Sequence, residues 1–297
     1  MFKRIGLFLI TNIAIMVMFG LILNLTGFRG YFNEQGIDYQ ALLLFCGIWG
    51  FLGAFVSLAM SKMMAKWMMG VKIVEPNGPY ADLVEMVHRF SKQAGINKMP
   101  EVGVYDSPEV NAFATGPSKN NSLVAVSTGL LCSMNRDEVE GVVAHEVGHV
   151  ANGDMVTMTL VQGVVNTFVL FFAKIAAFAV SNALKGDDDR GGLGYLGYIV
   201  TEIAFQIVFG ILGSVIVAFY SRSREYRADA AGARLAGREK MVAALQKLKS
   251  NYENGVFEHN GEAMSALKIS TKPSGFKSLF STHPPLDARI EALMRRS

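Results

Sequence analysis

His145-Glu146-Val147-Gly148-His149 sets two histidines four residues apart around a glutamate. On an α-helix, positions i and i+4 lie one above the other, so both imidazoles can reach a single Zn²⁺ at about 2.0–2.1 Å. Glu146 then stands beside the metal, where a carboxylate can take a proton from bound water and hand it to a leaving amine. The flanking residues support a helix. Asn135 with Glu138 three residues later gives a capping-box-like start, and Asn152-Gly153-Asp154 supplies a stop, which brackets Arg136 to Ala151. Of five histidines in the chain, two fall at this spacing.

A catalytic zinc site takes three protein ligands and keeps one position open, so a third ligand lies elsewhere. The stretch Ser221-Arg222-Ser223-Arg224-Glu225-Tyr226-Arg227-Ala228-Asp229 again sets two acids at i and i+4 on one face. Glu225 is assigned to zinc. Asp229 is assigned to the free N–H of His145 or His149, where an accepting carboxylate fixes the tautomer and raises ligand basicity. An exposed, arginine-flanked charged helix is the competing reading of this stretch.

Composition fixes the surroundings. With 297 residues, 51% hydrophobic content and only 18% charge, the chain is too apolar for an ordinary soluble domain. Gly6 to Leu25, behind Lys3 and Arg4, and Ala41 to Met60 are each long enough to cross about 30 Å of hydrocarbon. A cleaved signal peptide competes for the first run, but the run exceeds a usual signal core and no small-x-small site follows it. Two further runs, 155–183 and 193–219, flank the polar loop Lys185–Gly192 and carry more polar residues; a buried hairpin of a soluble domain is their competing reading. Lys174 and Glu202 each lie fourteen residues from Asp188, so a symmetric hairpin puts both at one depth, roughly 15 Å from the loop-side interface. A lone charge there is costly and a matched pair tolerable, so the two are expected to pair.

Basic residues beside the spans set orientation. Lys3 and Arg4, then Lys62, Lys66 and Lys72, then Arg222, Arg224 and Arg227 mark one side, whereas Gly27–Gln40 holds only Arg29 and the other loop carries Asp187, Asp188 and Asp189. Both termini and both metal-ligand helices are thereby expected in the cytoplasm. The expected division is 1–62 with two spans, 63–154 with the H-E-x-x-H helix, 155–220 as a membrane hairpin and 221–297 with the third ligand. The net charge of +3 is small and mostly juxtamembrane, which suits lipid headgroups and gives no nucleic-acid footprint. Cys46 and Cys132 have no zinc spacing and read as packing residues in a reducing compartment.

Ala81 to Ala94 places Leu83, Val84, Val87, Phe90 and Ala94 at helical spacing, with His88 off the stripe. Glu101–Tyr105 and Ser122–Ser127 alternate as strands around the turn-rich stretch Gly116–Asn121, so a small hairpin or sheet is implied. Leu123, Val124, Ala125, Val126 and Ser127 are the candidate edge for an added substrate strand, against a plain structural strand. Helices are expected around Arg238–Tyr252, Asn260–Leu267 and Leu286–Arg296.

The chain resembles the HtpX family of membrane-bound heat-shock zinc metalloproteases, relatives of the prenyl-protein peptidases. The resemblance rests on Asn111–Gly116, Ser122–Leu131, His145–His149 with Asn152-Gly153-Asp154, Arg224–Asp229 and Thr282-His283-Pro284-Pro285. It implies a mainly α membrane protein with four transmembrane helices. A cytoplasmic gluzincin-type α+β protease domain with a small sheet would carry one Zn²⁺ on His145, His149 and Glu225. It further implies that Asn111 and His283 donate hydrogen bonds to the tetrahedral intermediate. The implied role is quality control in the bacterial inner membrane, cutting unfolded or misfolded membrane proteins at cytoplasmic loops. A prenyl-protein peptidase is the first alternative, but four runs leave little material for a large chamber. A catalytically idle zinc-binding adaptor is the second; a structural zinc site would be closed by four Cys or His ligands and would have no use for Glu146.

Overall fold

The computed structural model describes residues 38–184, 193–253 and 279–295. The apolar run 6–25, the acidic loop 185–192 and the helix expected at 260–267 lie outside these. The first elements are α1 (Tyr39–Met68), β1 (Lys72–Ile73), α2 (Ala81–Gln93), β2 (Glu101–Tyr105), β3 (Ala112–Ser118) and β4 (Asn121–Ser127). They are followed by α3 (Thr128–Ser133), α4 (Arg136–Asn152), α5 (Asp154–Ala183), α6 (Gly194–Ala236), α7 (Arg238–Glu253) and α8 (Leu286–Arg295). Mainly helical with one small mixed sheet, the chain forms two compact units. One holds the described residues through Phe55 with Thr159–Ile216, and the other holds Val56–Met158 with the described residues from Val217 onward.

In the first unit, α1, α5 and α6 are long and apolar enough to cross a membrane. Their outward residues are large and apolar, among them Leu44, Ile48 and Leu52 on α1 and Val200, Ile207 and Ile211 on α6. Between α5 and α6, Lys174 Nζ lies 2.8 Å from Glu202 Oε1, the pairing expected from depth alone. Gln206 Nε2 donates to the same oxygen at 3.0 Å, and the Lys174 ammonium faces the Phe45 ring at 5.9 Å. Replacing Lys174 alone with Met should destabilise the hairpin by up to about 2.5–3.5 kcal/mol, the cost of one central charge, less whatever water reaching the partly exposed lysine screens. The double replacement Lys174→Met with Glu202→Leu should cost less than either single one. Equal losses in a detergent thermal-unfolding series would sink the pairing argument. Cys46 is fully buried here as a packing residue, whereas Cys132 is exposed at the end of α3, contrary to expectation.

The second unit carries the sheet in the order β1-β2-β4-β3, with β2 and β4 parallel and the outer pairs antiparallel. Leu123–Ser127 is therefore not an edge. β4 is flanked by β2 and β3 and buried on both faces, with Val124 and Val126 in one core and Leu123 and Ala125 in the other. A near-continuous apolar run is the mark of such an interior strand, since neither face meets water. The edge next to β4 is β3, whose composition hides it, and the short β1 forms the other. Ala112-Phe113-Ala114-Thr115-Gly116-Pro117 has weak strand propensity, and Pro117 is tolerated because an edge residue need not donate to a ladder.

The larger core joins the sheet to α2, α4, α7 and α8. On α2, the expected stripe of Leu83, Val84, Val87 and Phe90 is buried, and His88 approaches the Pro100 carbonyl at its margin. Glu140 of α4 ties this layer together, accepting from Arg89 Nη2 at 2.8 Å and Lys240 Nζ at 2.6 Å. Burial acts to raise its carboxyl, but Lys240 and Arg89 outweigh burial and hold it below the ordinary 4.5. A carboxyl lowered by folding stabilises the fold above the unfolded value and loses that contribution as pH falls through the folded one. Glu140→Gln should thus cost about 1 kcal/mol at pH 7, because Arg89 and Lys240 are partly screened by water. Thermal scans of the two proteins should differ at pH 7 and converge only as pH falls through the lowered folded value of Glu140, below 4.5.

Candidate active site

α4 begins and ends as its sequence requires. The Asn135 side chain accepts from Glu138 N, the Glu138 carboxylate accepts from Asn135 N, and Gly153 caps the far end at φ 68°. This left-handed residue separates α4 from α5, so the H-E-x-x-H helix does not run unbroken into the apolar run. By contrast α6 is one continuous helix from its apolar part through Glu225 and Asp229. The helix of His145 and His149 and the helix of Glu225 approach through glycines. A Cβ on Gly148 would meet Ala231 Cβ at 3.0 Å and Ala228 O at 3.1 Å, and one on Gly232 would meet His145 N at 3.1 Å. Only bare backbone at these two positions lets the helices come this close, and the close approach brings Glu225 to the histidine pair.

Ligand atoms of His145, His149 and Glu225 lie within 4.8 Å of one another. His145 Nδ1 lies 2.9 Å from Asp229 Oδ1, and His149 Nδ1 lies 2.7 Å from Asp154 Oδ2. Each contact asks its ring to carry the proton on Nδ1, so by this assignment both Nε2 atoms present lone pairs, and these face each other at 3.2 Å. Glu225 adds its two oxygens at 3.3 Å from His149 Nε2 and 3.5 Å from His145 Nε2. Fully buried, the carboxylate accepts no well-formed hydrogen bond. Lone pairs and a buried carboxylate converging on one point repel one another unless a cation stands between them, so this donor set fits a divalent metal.

The electrostatics agree. Burial acts to raise the Glu225 carboxyl, but the adjacent His283, His149 and His145 hold it well below 4.5. Burial disfavours a charged His149, yet Glu225 and Asp154 outweigh burial and push it up to about 10, so the pocket strongly favours positive charge. Asp229 is held well below its ordinary value against burial by Arg289, whose Nη2 and Nε donate to both its oxygens at 2.6 and 2.8 Å. Arg289 has no exposed surface, and its Nη1 lies 3.5 Å from Glu225 Oε2. Glu146 is buried, and burial together with the Glu225 charge pushes its carboxyl up, against the pull of His145, His149 and His283.

His283 Nδ1 comes within 2.8 Å of Glu225 Oε2, although not in hydrogen-bond geometry. Its segment is tied to α6 by Arg222, whose guanidinium donates to the Ser281 and Leu279 carbonyls. Asn111 is buried just before β3, pinned by reciprocal bonds with Ser127: Ser127 N donates to Asn111 O at 2.9 Å, and Asn111 N to Ser127 Oγ at 3.1 Å. That hydroxyl also accepts from Leu130 N and donates to Glu109 O. Ser127 is thus a buried cap that fixes Asn111, and Leu123–Val126 are core.

His145, Glu146, His149, Glu225, Asp229 and His283, proposed from sequence or resemblance, gather at one site. For two residues of the cluster the sequence gives no role at the site. Asp154 reads as part of a helix stop and of the motif that carries the resemblance, and Arg289 as one charge of an amphipathic helix whose other charges are exposed.

Residues 79–297 match a family described as Peptidase family M48. "Protease HtpX homolog" of Methylacidiphilum infernorum is 50% identical over 302 residues, covering 99% of both chains. "Protease HtpX homolog" of Bacillus subtilis (strain 168) is 52% identical over 303 residues with the same coverage. Among solved structures, S. mikatae Ste24p aligns over 96% of this chain and 66% of that one at 18% identity, with a TM-score of 0.60, a likeness of fold.

Proposed function

The chain belongs to peptidase family M48 and is a membrane-embedded metalloprotease of the HtpX kind, and from that premise we propose that one Zn²⁺ is held by His145, His149 and Glu225 with Glu146 as general base. The observation that carries this reading is the facing pair of imidazole lone pairs beside a buried, unsatisfied carboxylate. When bound, the metal supplies Lewis acidity and lowers the pKa of water. Glu146, raised by burial, would act as the general base, accepting a proton from the attacking water at its carboxylate and returning it to the leaving amine. Asp229 and Asp154 hold the two histidines in their metal-facing tautomers, and Arg289 holds Asp229. Asn111 and His283 donate to the developing oxyanion, an interaction worth about 2.7–4 kcal/mol per donor where such donors have been removed.

The substrate adds as an extended strand to β3 rather than β4. What supports this is that β3 has no strand partner on its outer side among the described residues, and that Asn111 immediately precedes it. The apolar run 6–25 completes a set of four spans, and the site faces the cytoplasm of a bacterial inner membrane, as the juxtamembrane lysines and arginines support. Unfolded or misfolded membrane proteins are the substrates, cut at cytoplasmic loops.

The test is time-resolved cleavage by the detergent-purified full chain of a destabilised membrane protein beside its folded parent and a soluble unfolded protein. Both unfolded substrates should be cut and the folded parent spared. Chelation should abolish cleavage and added zinc should restore it, whereas His149→Ala should bind less than one zinc per chain and stay inactive. Cleavage that survives chelation would overturn the metal assignment, and sparing of both unfolded substrates would overturn the substrate class.

A further inference from the structure

Beyond the catalytic cluster, one cavity of about 590 Å³ combines an apolar wall with a charged one. Ala59, Met63 and Trp67 follow one another at i, i+4 and i+8 along α1 and form the apolar wall, Trp67 being 82% exposed. Beside them on the same face of α1 stand Lys62 and Lys66, one turn apart, and across the cavity lie Glu101 at the start of β2 and Asn121 at the start of β4. Lys62 Nζ lies 2.8 Å from Glu101 and 2.9 Å from Asn121 Oδ1, and Lys66 Nζ lies 2.7 Å from the other Glu101 oxygen. Two ammonium groups share one carboxylate, which leaves one positive charge uncompensated.

The length of α1 locates this cavity along the membrane normal. Its 30 residues make a rod about 45 Å long, of which about 20 residues cross the hydrocarbon. The start is fixed by Asp38, whose Oδ1 accepts from Gln40 N and Ala41 N. Counting from there, the turns around Lys62 to Trp67 fall in the headgroup layer, where exposed tryptophan and juxtamembrane lysine are favoured. A ligand with an anionic head and an apolar tail matches both walls.

We infer that this cavity binds an anionic phospholipid, with its phosphate on Lys62 and Lys66 and its first acyl carbons along Ala59, Met63 and Trp67. Glu101 tunes the site by sharing the two lysines, and a choline headgroup is disfavoured because its own cation meets them. The site is independent of the peptide chemistry.

The chain has two tryptophans, Trp49 and Trp67, so Trp49→Phe leaves Trp67 as the sole reporter. The full chain is reconstituted in phosphatidylcholine, and Trp67 fluorescence is titrated with brominated phosphatidylglycerol or brominated phosphatidylcholine. Quenching should favour phosphatidylglycerol by about five-fold per lysine, the size of one juxtamembrane basic contact. Lys62→Gln with Lys66→Gln should erase that preference, while Glu101→Gln should enlarge it by freeing both lysines. These variants remove the same two ion pairs, so a purely structural role, or a loss of fold, moves them in the same direction and overturns the proposal. Equal quenching by the two lipids in the parent also overturns it. Displacement of brominated phosphatidylglycerol by millimolar glycerol phosphate would assign the lysines to a soluble phosphate and overturn the lipid.

Discussion

Glu146→Gln is expected to lower the rate of peptide cleavage by about 10²–10⁴-fold, the usual contribution of a positioned general base, while one zinc per chain is retained. Glutamine keeps the shape of the side chain and cannot accept the water proton. The neighbours that hold the metal site together do not involve Glu146: His145 leans on Asp229, His149 on Asp154, and Glu225 comes from a different helix. Glu146 supplies none of these contacts and is not among the three proposed ligands, so metal affinity should change little. The check is kcat against an unfolded protein together with metal analysis of the same preparation. Loss of zinc along with activity would mean that Glu146 maintains the site rather than acting in the reaction.

Arg289→Met is expected to destabilise the protease unit by about 3–5 kcal/mol, because it leaves the Asp229 carboxylate buried without its cation. The single removal should also weaken zinc binding by about 10–100-fold, since Asp229 would no longer be fixed against His145. Arg289→Lys should recover only part of either loss, because a lysine cannot reproduce the fork that meets both Asp229 oxygens. Arg289→Met with Asp229→Leu should recover much of the stability while zinc affinity stays low. Denaturant titration in detergent and competitive zinc titration separate the two effects. A stability loss below about 1 kcal/mol for the single replacement would refute the buried-pair argument.

Local spacing carried much of this protein. The capping box at Asn135 and Glu138, the stop at Gly153, the α2 stripe and the three described apolar helices depend on contacts within a few residues or on length alone, and each lies where the sequence puts it. Lys174 and Glu202 were found by depth arithmetic, because a hairpin in a membrane leaves little freedom in pairing. Strand order was not legible. Leu123–Ser127 looks like an edge because it precedes the H-E-x-x-H helix, but its position between β2 and β3 depends on a parallel pairing between segments some twenty residues apart. β3 was missed because small residues and Pro117 carry little strand signal.

At the site, the sequence by itself determined that His145, Glu146 and His149 share a helical face and that Glu225 and Asp229 share another, since helical periodicity fixes such neighbours. Only the tertiary structure decided which partners complete them. Arg289 lies 60 residues beyond Asp229 and reaches it because α8 packs its single buried charge inward, and Asp154 reaches His149 because Gly153 turns the chain back. Neither contact has a period: packing of distant backbone brings Arg289 to Asp229, and the left-handed turn at Gly153 brings Asp154 to His149. A buried carboxylate is tolerable only where such a partner has been brought to it.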